Sequence, residues 1–205
     1  MSMCIVSLAF GEPHQHMART TWPLIADYAA RFGCDWRPHL QPIYPCERPA
    51  SWHKLIAIAD ALVDHDEVLW LDSDVLVREQ ADFILDEVGH GYWQALVCHQ
   101  YLGGLVPNMG VWLCRRPMLP VLVAAAMSSD VDNPWWEQAA IHRLMGFVMD
   151  GPTARAGELT ELSYRTRRLG DQWNHVECSP QDVEAKFVHA AGVPGDRLAF
   201  LTARA

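Results

Sequence analysis

The 205-residue sequence lacks any run of basic residues, and its formal net charge is -9. Affinity for nucleic acid comes mainly from Lys and Arg that neutralise phosphates, so a nucleic-acid partner is not expected. No apolar stretch approaches the ~20 residues that span a bilayer, so no transmembrane segment is expected either. The first residues lack the basic segment of a secretory signal peptide and fit a first strand, and the dispersed cysteines described next are those expected of a cytoplasmic protein.

The sequence also lacks paired cysteines. Its six cysteines are dispersed without a CxxC pair, at positions 4, 34, 46, 98, 114 and 178. This pattern does not favour a zinc site, and we expect the thiols to be reduced. Repeats, low-complexity segments and an evident linker are absent as well. Half of the residues are hydrophobic, which suits a sizeable core, so we predict a single domain over residues 1–205.

The order of helical and extended patterns predicts an α/β fold. Short apolar runs that fit strands occur at 4–10, 34–40, 68–71, 75–77, 93–98, 108–114 and 186–189. Patterns that fit helices begin near Thr21, Ser51, Phe83, Pro117 and Asn133. Residues 99–107 are predicted to form a loop, and 158–168 a pair of strands. This βαβα order predicts a Rossmann-like, mixed and mostly parallel sheet flanked by helices.

The most informative stretch runs from residue 51 to residue 77. Ser51 is predicted to cap a helix whose apolar face includes Val63, and a buried strand follows at 68–71. Asp72 and Asp74 come directly after that strand. In open α/β sheets ligands bind beyond the carboxyl ends of the strands, and two unpaired carboxylates there would be costly. A divalent cation that shares its remaining sites with phosphates is the natural partner.

The Asp-x-Asp pattern alone is weak evidence, because it occurs three times. Residues 64–66 lie between a predicted helix and a strand, and we interpret them as a solvated turn. Residues 130–132 precede Asn133 and Pro134, where carboxylates favour a helix start. Only residues 72–74 follow a buried strand, so we assign the cation site to them.

Five segments of the sequence follow one another between about Ser51 and Gly192: WLDSDVLV, NMGVWL, WEQAAI, GDQWN and FVHAAG. In this order and spacing the sequence resembles metal-dependent GT-A glycosyltransferases, and is most similar to retaining galactosyl- and xylosyltransferase-type families. The resemblance implies a GT-A-like fold and a nucleotide-diphosphate sugar donor, with UDP favoured. It also implies Mn²⁺ or Mg²⁺ as cofactor, and a glycan, lipid-linked or other acceptor. Of the nine tryptophans, one or two are candidates for lining a groove around a sugar ring.

The resemblance also assigns roles to individual residues. Asp72, Asp74 and the late histidine His189 are implied as metal ligands. Glu137 and Gln138 match an acidic-Gln pair near the anomeric carbon, although the family more often has Asp at the first position. Contacts to the donor are predicted for Leu8, Phe10, Lys54, Asp72, Ser73, Asn108, Gly110, Asn174 and Gly192. The family often has a lysine after the histidine that binds the diphosphate, and here only Arg197 could take that role.

Two other functions compete with glycosyl transfer. Residues 72–77 nearly fit the nucleophile motif of haloacid-dehalogenase-type phosphohydrolases, with Asp72 attacking phosphorus and Asp74 as acid and base. That motif usually opens the chain and requires a later acidic pair for Mg²⁺, which this sequence does not show. A non-catalytic domain that binds nucleotide-sugars is the third possibility, since binding of a donor does not prove transfer.

Overall fold

A computed structural model of the protein describes residues 2–45, 47–101, 104–128, 133–150, 153–177, 179–180, 183–193 and 195–205. The Asp130-Val131-Asp132 triplet, Cys46 and Cys178 lie outside these ranges, so the prediction of a helix start at residues 130–132 stays a prediction. The four described cysteines, Cys4, Cys34, Cys98 and Cys114, form no disulfide. Within the described ranges, no helix combines the length and the apolar character needed to cross a membrane.

Ten strands are present in the described part of the chain. They are β1 Met3–Leu8, β2 Asp35–His39, β3 Glu67–Leu71, β4 Val75–Val77, β5 Gln94–Tyr101, β6 Gly104–Arg115, β7 Phe147–Asp150, β8 Thr153–Ala156, β9 Thr166–Leu169 and β10 Phe187–His189. The α-helices are α1 Glu12–Phe32, α2 His53–Asp64, α3 Leu85–Val88, α4 Leu119–Ala126, α5 Trp136–Leu144, α6 Glu161–Tyr164 and α7 Arg197–Thr202. Single 3-10 turns lie at Ala50–Trp52, Arg116–Met118 and Asp171–Trp173.

The central sheet has six strands in the order β2-β1-β3-β6-β5-β9. Among the described residues, three of its five strand pairings are parallel, and β6 is antiparallel to both of its neighbours. Two small antiparallel pairs, β4 with β10 and β7 with β8, complete the strands. The predicted mixed, mostly parallel α/β architecture is therefore confirmed.

Helices cover both faces of the central sheet. Successive side chains of a strand point to opposite faces, and β1 shows this directly. Cys4 and Val6 pack in a core with residues of α2, α4 and α5, whereas Met3 and Ile5 pack in a second core with residues of α1. Every residue of β1 and β3 is buried, which explains why both strands appear in the sequence as continuous apolar runs.

The predicted helix boundaries were wrong at three places. Helix α1 begins at Glu12 instead of Thr21, with Pro13 in its first turn and Pro23 in its interior. A proline removes one helical hydrogen bond, but burial of residues on both sides of Pro23 holds the helix together. Ser51 does not cap α2, because it lies in the 3-10 turn that precedes the helix, and Val63 is 66% exposed. The helix predicted from Asn133 begins at Trp136 and ends at Leu144.

Two predictions about extended segments were also wrong. Residues 99–107, predicted as a loop, mostly belong to the β5-β6 hairpin, in which Cys98 lies opposite Pro107. Residues 158–168 contain α6 and β9 instead of a strand pair, and β9 joins the sheet beside β5. Residues 104–107 pair with the preceding strand of the hairpin despite Gly104 and Pro107, whereas β9 pairs with the distant β5, which a short window of sequence cannot reveal.

We expect Gly33→Ala to destabilise the protein and Ser51→Ala to leave its stability nearly unchanged. Gly33 ends α1 with φ 65°, a left-handed conformation that costs a residue with a Cβ about 1 kcal/mol. Ser51 makes no capping hydrogen bond, so its loss should change the free energy of unfolding by less than about 0.5 kcal/mol. Urea unfolding of both variants checks this, and a larger loss for Ser51→Ala than for Gly33→Ala would contradict the described helix ends.

Candidate active site

The turn between β3 and β4 carries Asp72, Ser73 and Asp74. Its backbone is fixed by the amide of Asp72, which donates to the carbonyl of Gly110 at 2.8 Å. The Asp72 carboxylate accepts a hydrogen bond from Nε1 of Trp70 at 2.6 Å. On the other side, the hydroxyl of Thr21 on α1 donates to the carbonyl of Ser73 at 2.8 Å. Contacts from three elements thus hold this turn in place at the carboxyl end of β3.

Pairing of β4 with β10 brings His189 to the same place. Val75 lies opposite His189, and the amide of Ala190 donates to the carbonyl of Asp74 at 3.0 Å. As a result, Nε2 of His189 lies 3.3 Å from Oδ1 of Asp74 and 3.8 Å from Oδ2 of Asp72. The three side chains offer ligand atoms that all lie within 4.8 Å of one another.

The chemistry of these three side chains fits a divalent cation. Carboxylate oxygens are the preferred ligands of Mg²⁺ and Mn²⁺, and an imidazole nitrogen can complete the set. Asp74 and His189 are only 5% and 4% exposed. Water therefore solvates these groups poorly, and a cation would compensate the carboxylate charge. The predicted ligands are thus together in space and form a possible metal site.

Asp74 is ionised in this environment. Burial raises its pKa, but the His189 imidazole and the Arg197 guanidinium outweigh burial and lower the pKa to about 2. Nη1 of Arg197 lies 3.3 Å from Oδ2 of Asp74. Helix α7, which the sequence did not predict, presents Arg197, and the side chain of Asp196 caps the helix by accepting from two backbone amides.

Lys54 is a buried cation between two carboxylates. Its Nζ lies 3.0 Å from Oδ1 of Asp72 and 3.2 Å from Oε1 of Glu137, and it donates to the carbonyl of Met109 at 3.2 Å. Burial lowers the pKa of Lys54, but Asp72 and Glu137 outweigh burial and raise it above its ordinary value. Lys54 therefore stays charged and connects the proposed metal ligand Asp72 with the predicted catalytic residue Glu137.

Helix α5 presents Glu137 and Gln138 to the same cavity. Before the helix, Oδ1 of Asn133 accepts from the amide of Trp135 at 2.9 Å. Trp136 then has φ 49°, a left-handed conformation that is uncommon for a tryptophan. Oε1 of Gln138 accepts from the amide of Met109 at 3.0 Å, so α5 is bound to β6 as well as to Lys54.

Gly110 lies where the His189 ring needs space. The register of β6 against β5 shifts between Leu96 and Val97, so that residues 109–111 bulge between paired positions. A Cβ added to Gly110 would lie 2.1 Å from Cε1 of His189. Only a residue without a side chain leaves room for the imidazole here, which explains the glycine of the NMG segment.

Asn108 and Asn174 support this arrangement from behind. Oδ1 of Asn108 accepts from the amide of Gly110 at 2.8 Å and from Nδ2 of Asn174 at 2.9 Å. Oδ1 of Asn174 in turn lies 2.9 Å from Nδ1 of His189. Asn174 is fully buried, so its side chain lies behind His189 instead of at the cavity surface.

The predicted site residues converge on one cavity of about 890 Å³. Its lining includes Leu8, Phe10, Lys54, Asp72, Ser73, Asp74, Asn108, Gly110, Glu137, Gln138, His189 and Gly192. The sequence reasoning did not single out several further lining residues, namely His14, Trp70, His99, Trp135 and Trp136. Trp70 could have been found, since residues i and i+2 of a strand lie on the same face, and so could Trp135 and Trp136, which directly precede Glu137. His14 and His99 reach the cavity through tertiary contacts only.

The Asp64-His65-Asp66 triplet lies away from this cavity. Asp66 precedes β3, whereas Asp72 follows it, so the two triplets are at opposite ends of the same strand. The side chains of Asp64 and Asp66 are 66% and 43% exposed and pair with Arg37 and Arg116. This placement agrees with the prediction of a solvated turn.

Comparison with solved structures identifies the architecture. A crystal structure of a glycosyltransferase involved in the glycosylation of the major capsid of PBCV-1 has a TM-score of 0.76 at 19% identity, covering 99% of this chain and 100% of that chain. The galactosyltransferase LgtC, in complex with donor and acceptor sugar analogues, has a TM-score of 0.58 at 14% identity, covering 98% and 96%. This chain has the GT-A fold. Mouse xyloside xylosyltransferase 1 has a TM-score of 0.51 at 11% identity, covering 94% of this chain and 98% of that chain.

Each of these three similarities covers at least 94% of this chain, and what they show is its fold. No protein-family model matches the sequence, and no curated protein matches it. The predicted fold is confirmed, and the haloacid-dehalogenase alternative gains no support from these structures.

We expect Gly110→Ala to abolish binding of Mn²⁺ while the protein stays folded. The added methyl group would displace the His189 ring, because the two would overlap at 2.1 Å. Calorimetric titration of Mn²⁺ measures the effect. Asp64→Asn is the control, since Asp64 is exposed and does not line the cavity, and the melting temperature of Gly110→Ala checks that this variant is folded. Normal Mn²⁺ affinity in Gly110→Ala would contradict the assigned position of His189.

Proposed function

We propose that this protein is a glycosyltransferase that moves a sugar from a nucleotide-diphosphate donor, with a UDP-sugar favoured, to a glycan, lipid-linked or other acceptor. The proposal includes dependence on Mn²⁺ or Mg²⁺ and retention of anomeric configuration. We further propose that residues 1–205 act as one domain and that the protein is cytoplasmic. The named neighbours support glycosyl transfer through the shared fold, and the residues of this cavity support the finer points.

One observation carries the proposal: two sets of groups that glycosyl transfer needs line one cavity. Asp72, Asp74 and His189 form the possible cation site, and Glu137 and Gln138 project from α5 into the same space. Lys54 bridges the two sets through contacts of 3.0 and 3.2 Å. If residues 72–74 were only a turn at the end of a strand, and Glu137 only part of a helix start, the two groups would have no reason to line the same cavity.

The cation site suits departure of a nucleoside diphosphate. When bound by Asp72, Asp74 and His189, Mn²⁺ or Mg²⁺ would neutralise negative charge on the diphosphate. Arg197 is the nearby cation that could bind a phosphate oxygen, since it lines the cavity, is 44% exposed and pairs with Asp74. In this proposal its guanidinium contacts both Asp74 and the diphosphate, the role that lysine has in the family.

Glu137 and Gln138 are proposed to act at the sugar. A retaining transfer needs a nucleophile, or a dipole that stabilises an oxocarbenium-like transition state, on the face opposite the leaving group. Consecutive helical residues diverge by about 100°, so the two side chains take different roles. The carboxylate of Glu137 is held by Lys54, and Gln138 is oriented by the amide of Met109.

Aromatic residues offer a surface for a sugar ring. Trp136 lines the cavity, is 46% exposed and has a left-handed backbone conformation, while Trp135 and Phe10 also line the cavity. An exposed indole with an unfavourable backbone conformation at a cavity suggests a role in ligand binding. We propose that these residues contact the apolar face of a bound sugar.

Release of nucleoside diphosphate from UDP- and GDP-sugars with Mn²⁺ tests the function. We expect release to depend on the cation and to be lost in Asp74→Asn, because the cation site then lacks a carboxylate. Asp64→Asn is the matched control, since Asp64 is exposed and belongs to the triplet outside the cavity. Calorimetry of donor binding with Mn²⁺ separates loss of binding from loss of turnover.

The other outcomes distinguish the competing functions. Release of phosphate from simple phosphomonoesters, with Asp72 as nucleophile, would favour the phosphohydrolase. Binding of a donor without turnover, over a broad panel of acceptors, would favour a non-catalytic nucleotide-sugar-binding domain. Unchanged donor affinity in Asp74→Asn would remove the proposed cation site.

We expect Glu137→Gln and Gln138→Ala to lower kcat far more than donor affinity. Their interactions with the sugar are proposed to strengthen in the transition state, so their removal affects turnover more than ground-state binding. The measurements are kcat and the donor Kd, with melting temperature as a check because Glu137 is buried against Lys54. Near-normal kcat in both variants would mean that α5 is only a packing element.

A further inference from the structure

Three hydrogen bonds behind the proposed cation site form a continuous series. It starts at the backbone amide of Gly110, passes through the side chains of Asn108 and Asn174, and ends at the ring of His189. The three donor-acceptor distances are 2.8, 2.9 and 2.9 Å. These lengths are those of well-formed hydrogen bonds.

The series has only one consistent direction. The backbone N–H of Gly110 can only donate, so the atom of Asn108 that faces it must be the carbonyl oxygen Oδ1. That oxygen also faces the amide of Asn174, which must therefore present Nδ2 as a donor. The other end of the Asn174 amide is then Oδ1, an acceptor, and it faces Nδ1 of His189. Nδ1 of His189 must therefore carry a proton, which it donates to Oδ1 of Asn174.

We propose that Asn108 and Asn174 are positioning residues that keep the proton of the neutral His189 ring on Nδ1 and thereby keep the lone pair of Nε2 directed at Asp72 and Asp74. This inference rests on the proposed cation site and gives Asn174 a role that acts through His189, instead of the direct donor contact expected from the sequence. A metal-binding histidine requires such a fixed tautomer, because only the nitrogen without a proton can bind the cation.

Burial makes this series effective. Asn174 and Gly110 bound the His189 ring on two sides, and Asn174 and His189 are 0% and 4% exposed. Water therefore competes poorly for these hydrogen bonds. The backbone fixes both ends of the series as well. The amide of His175 donates to the carbonyl of Phe187 and that of His189 to the carbonyl of His175, each at 2.8 Å, and the carbonyl of Gly110 accepts from the amide of Asp72 at 2.8 Å.

The partner of the histidine is a neutral amide, although carboxylates are common in this position. Asp72, Asp74 and Glu137 already bring three carboxylates to the cavity, balanced in part by Lys54. An amide fixes the tautomer without adding charge.

The tautomer can be measured directly in the metal-free protein. Long-range ¹H–¹⁵N correlation spectra distinguish protonated from unprotonated ring nitrogens, and loss of signals in His189→Asn assigns the ring. We expect Nδ1 to carry a proton in the metal-free wild-type protein, because it faces Oδ1 of Asn174, and we expect Nε2 to carry none once diamagnetic Mg²⁺ is bound. An unprotonated Nδ1 in the wild-type protein would overturn the proposal without the need for any variant.

Substitutions at the two asparagines then test the series. Asn174→Leu has a similar size but no acceptor, so we expect the ring proton to move toward Nε2 and Mn²⁺ affinity to fall about 10–100-fold. Asn108→Asp should keep the proton on Nδ1, because both groups that face its Oδ1 are donors, whereas Asn108→Leu should not. Melting temperatures establish that each variant is folded.

The outcomes separate this proposal from the proposed function. Unchanged Mn²⁺ affinity and an unchanged tautomer in a folded Asn174→Leu protein would refute the positioning role. If the wild-type protein binds Mn²⁺ with a protonated Nδ1 but releases no nucleoside diphosphate, the series stands and glycosyl transfer fails.

Discussion

A single buried ammonium group connects the elements that form the cavity. Nζ of Lys54 on α2 lies within 3.2 Å of Asp72 after β3, of Glu137 on α5 and of the Met109 carbonyl on β6. Removal of this cation would leave the buried carboxylate of Glu137 and the partly buried carboxylate of Asp72 without a compensating charge, which is more costly than the loss of ordinary hydrogen bonds. The spacing between the possible cation site and α5 therefore depends on Lys54.

The two sides of the cation site are held by different kinds of interaction. Charged groups hold the carboxylates, since Lys54 contacts Asp72 and Arg197 contacts Asp74. Neutral amides hold His189, which must keep an uncharged ring to bind a cation. This division orients all three proposed ligands without placing a positive charge behind the histidine, where it would oppose the cation.

The fold could be predicted wherever a segment is buried along its whole length. The continuous apolar runs of β1 and β3 and the βαβα order indicated a parallel arrangement covered on both sides, because only buried strands have such runs. The start of α1, the β5-β6 hairpin and the strand β9 were not predicted. The start of α1 depends on burial that outweighs Pro23, and β9 depends on pairing with the distant β5, whereas the β5-β6 hairpin forms between neighbouring segments despite Gly104 and Pro107.

The sequence by itself determined the types of ligand atoms and the place of one carboxylate pair. Asp72 and Asp74 follow a fully buried strand, and such a position needs a compensating charge whatever the details of the fold. Only the tertiary structure decided what each remaining side chain faces. A hydrogen bond or ligand bond requires atoms about 3 Å apart in a defined direction, and pairing of β10 with β4 and the bulge at Gly110 set those positions for His189. Asn174 shows the difference most clearly, because its motif suggested contact with a substrate whereas its burial places it behind a proposed metal ligand.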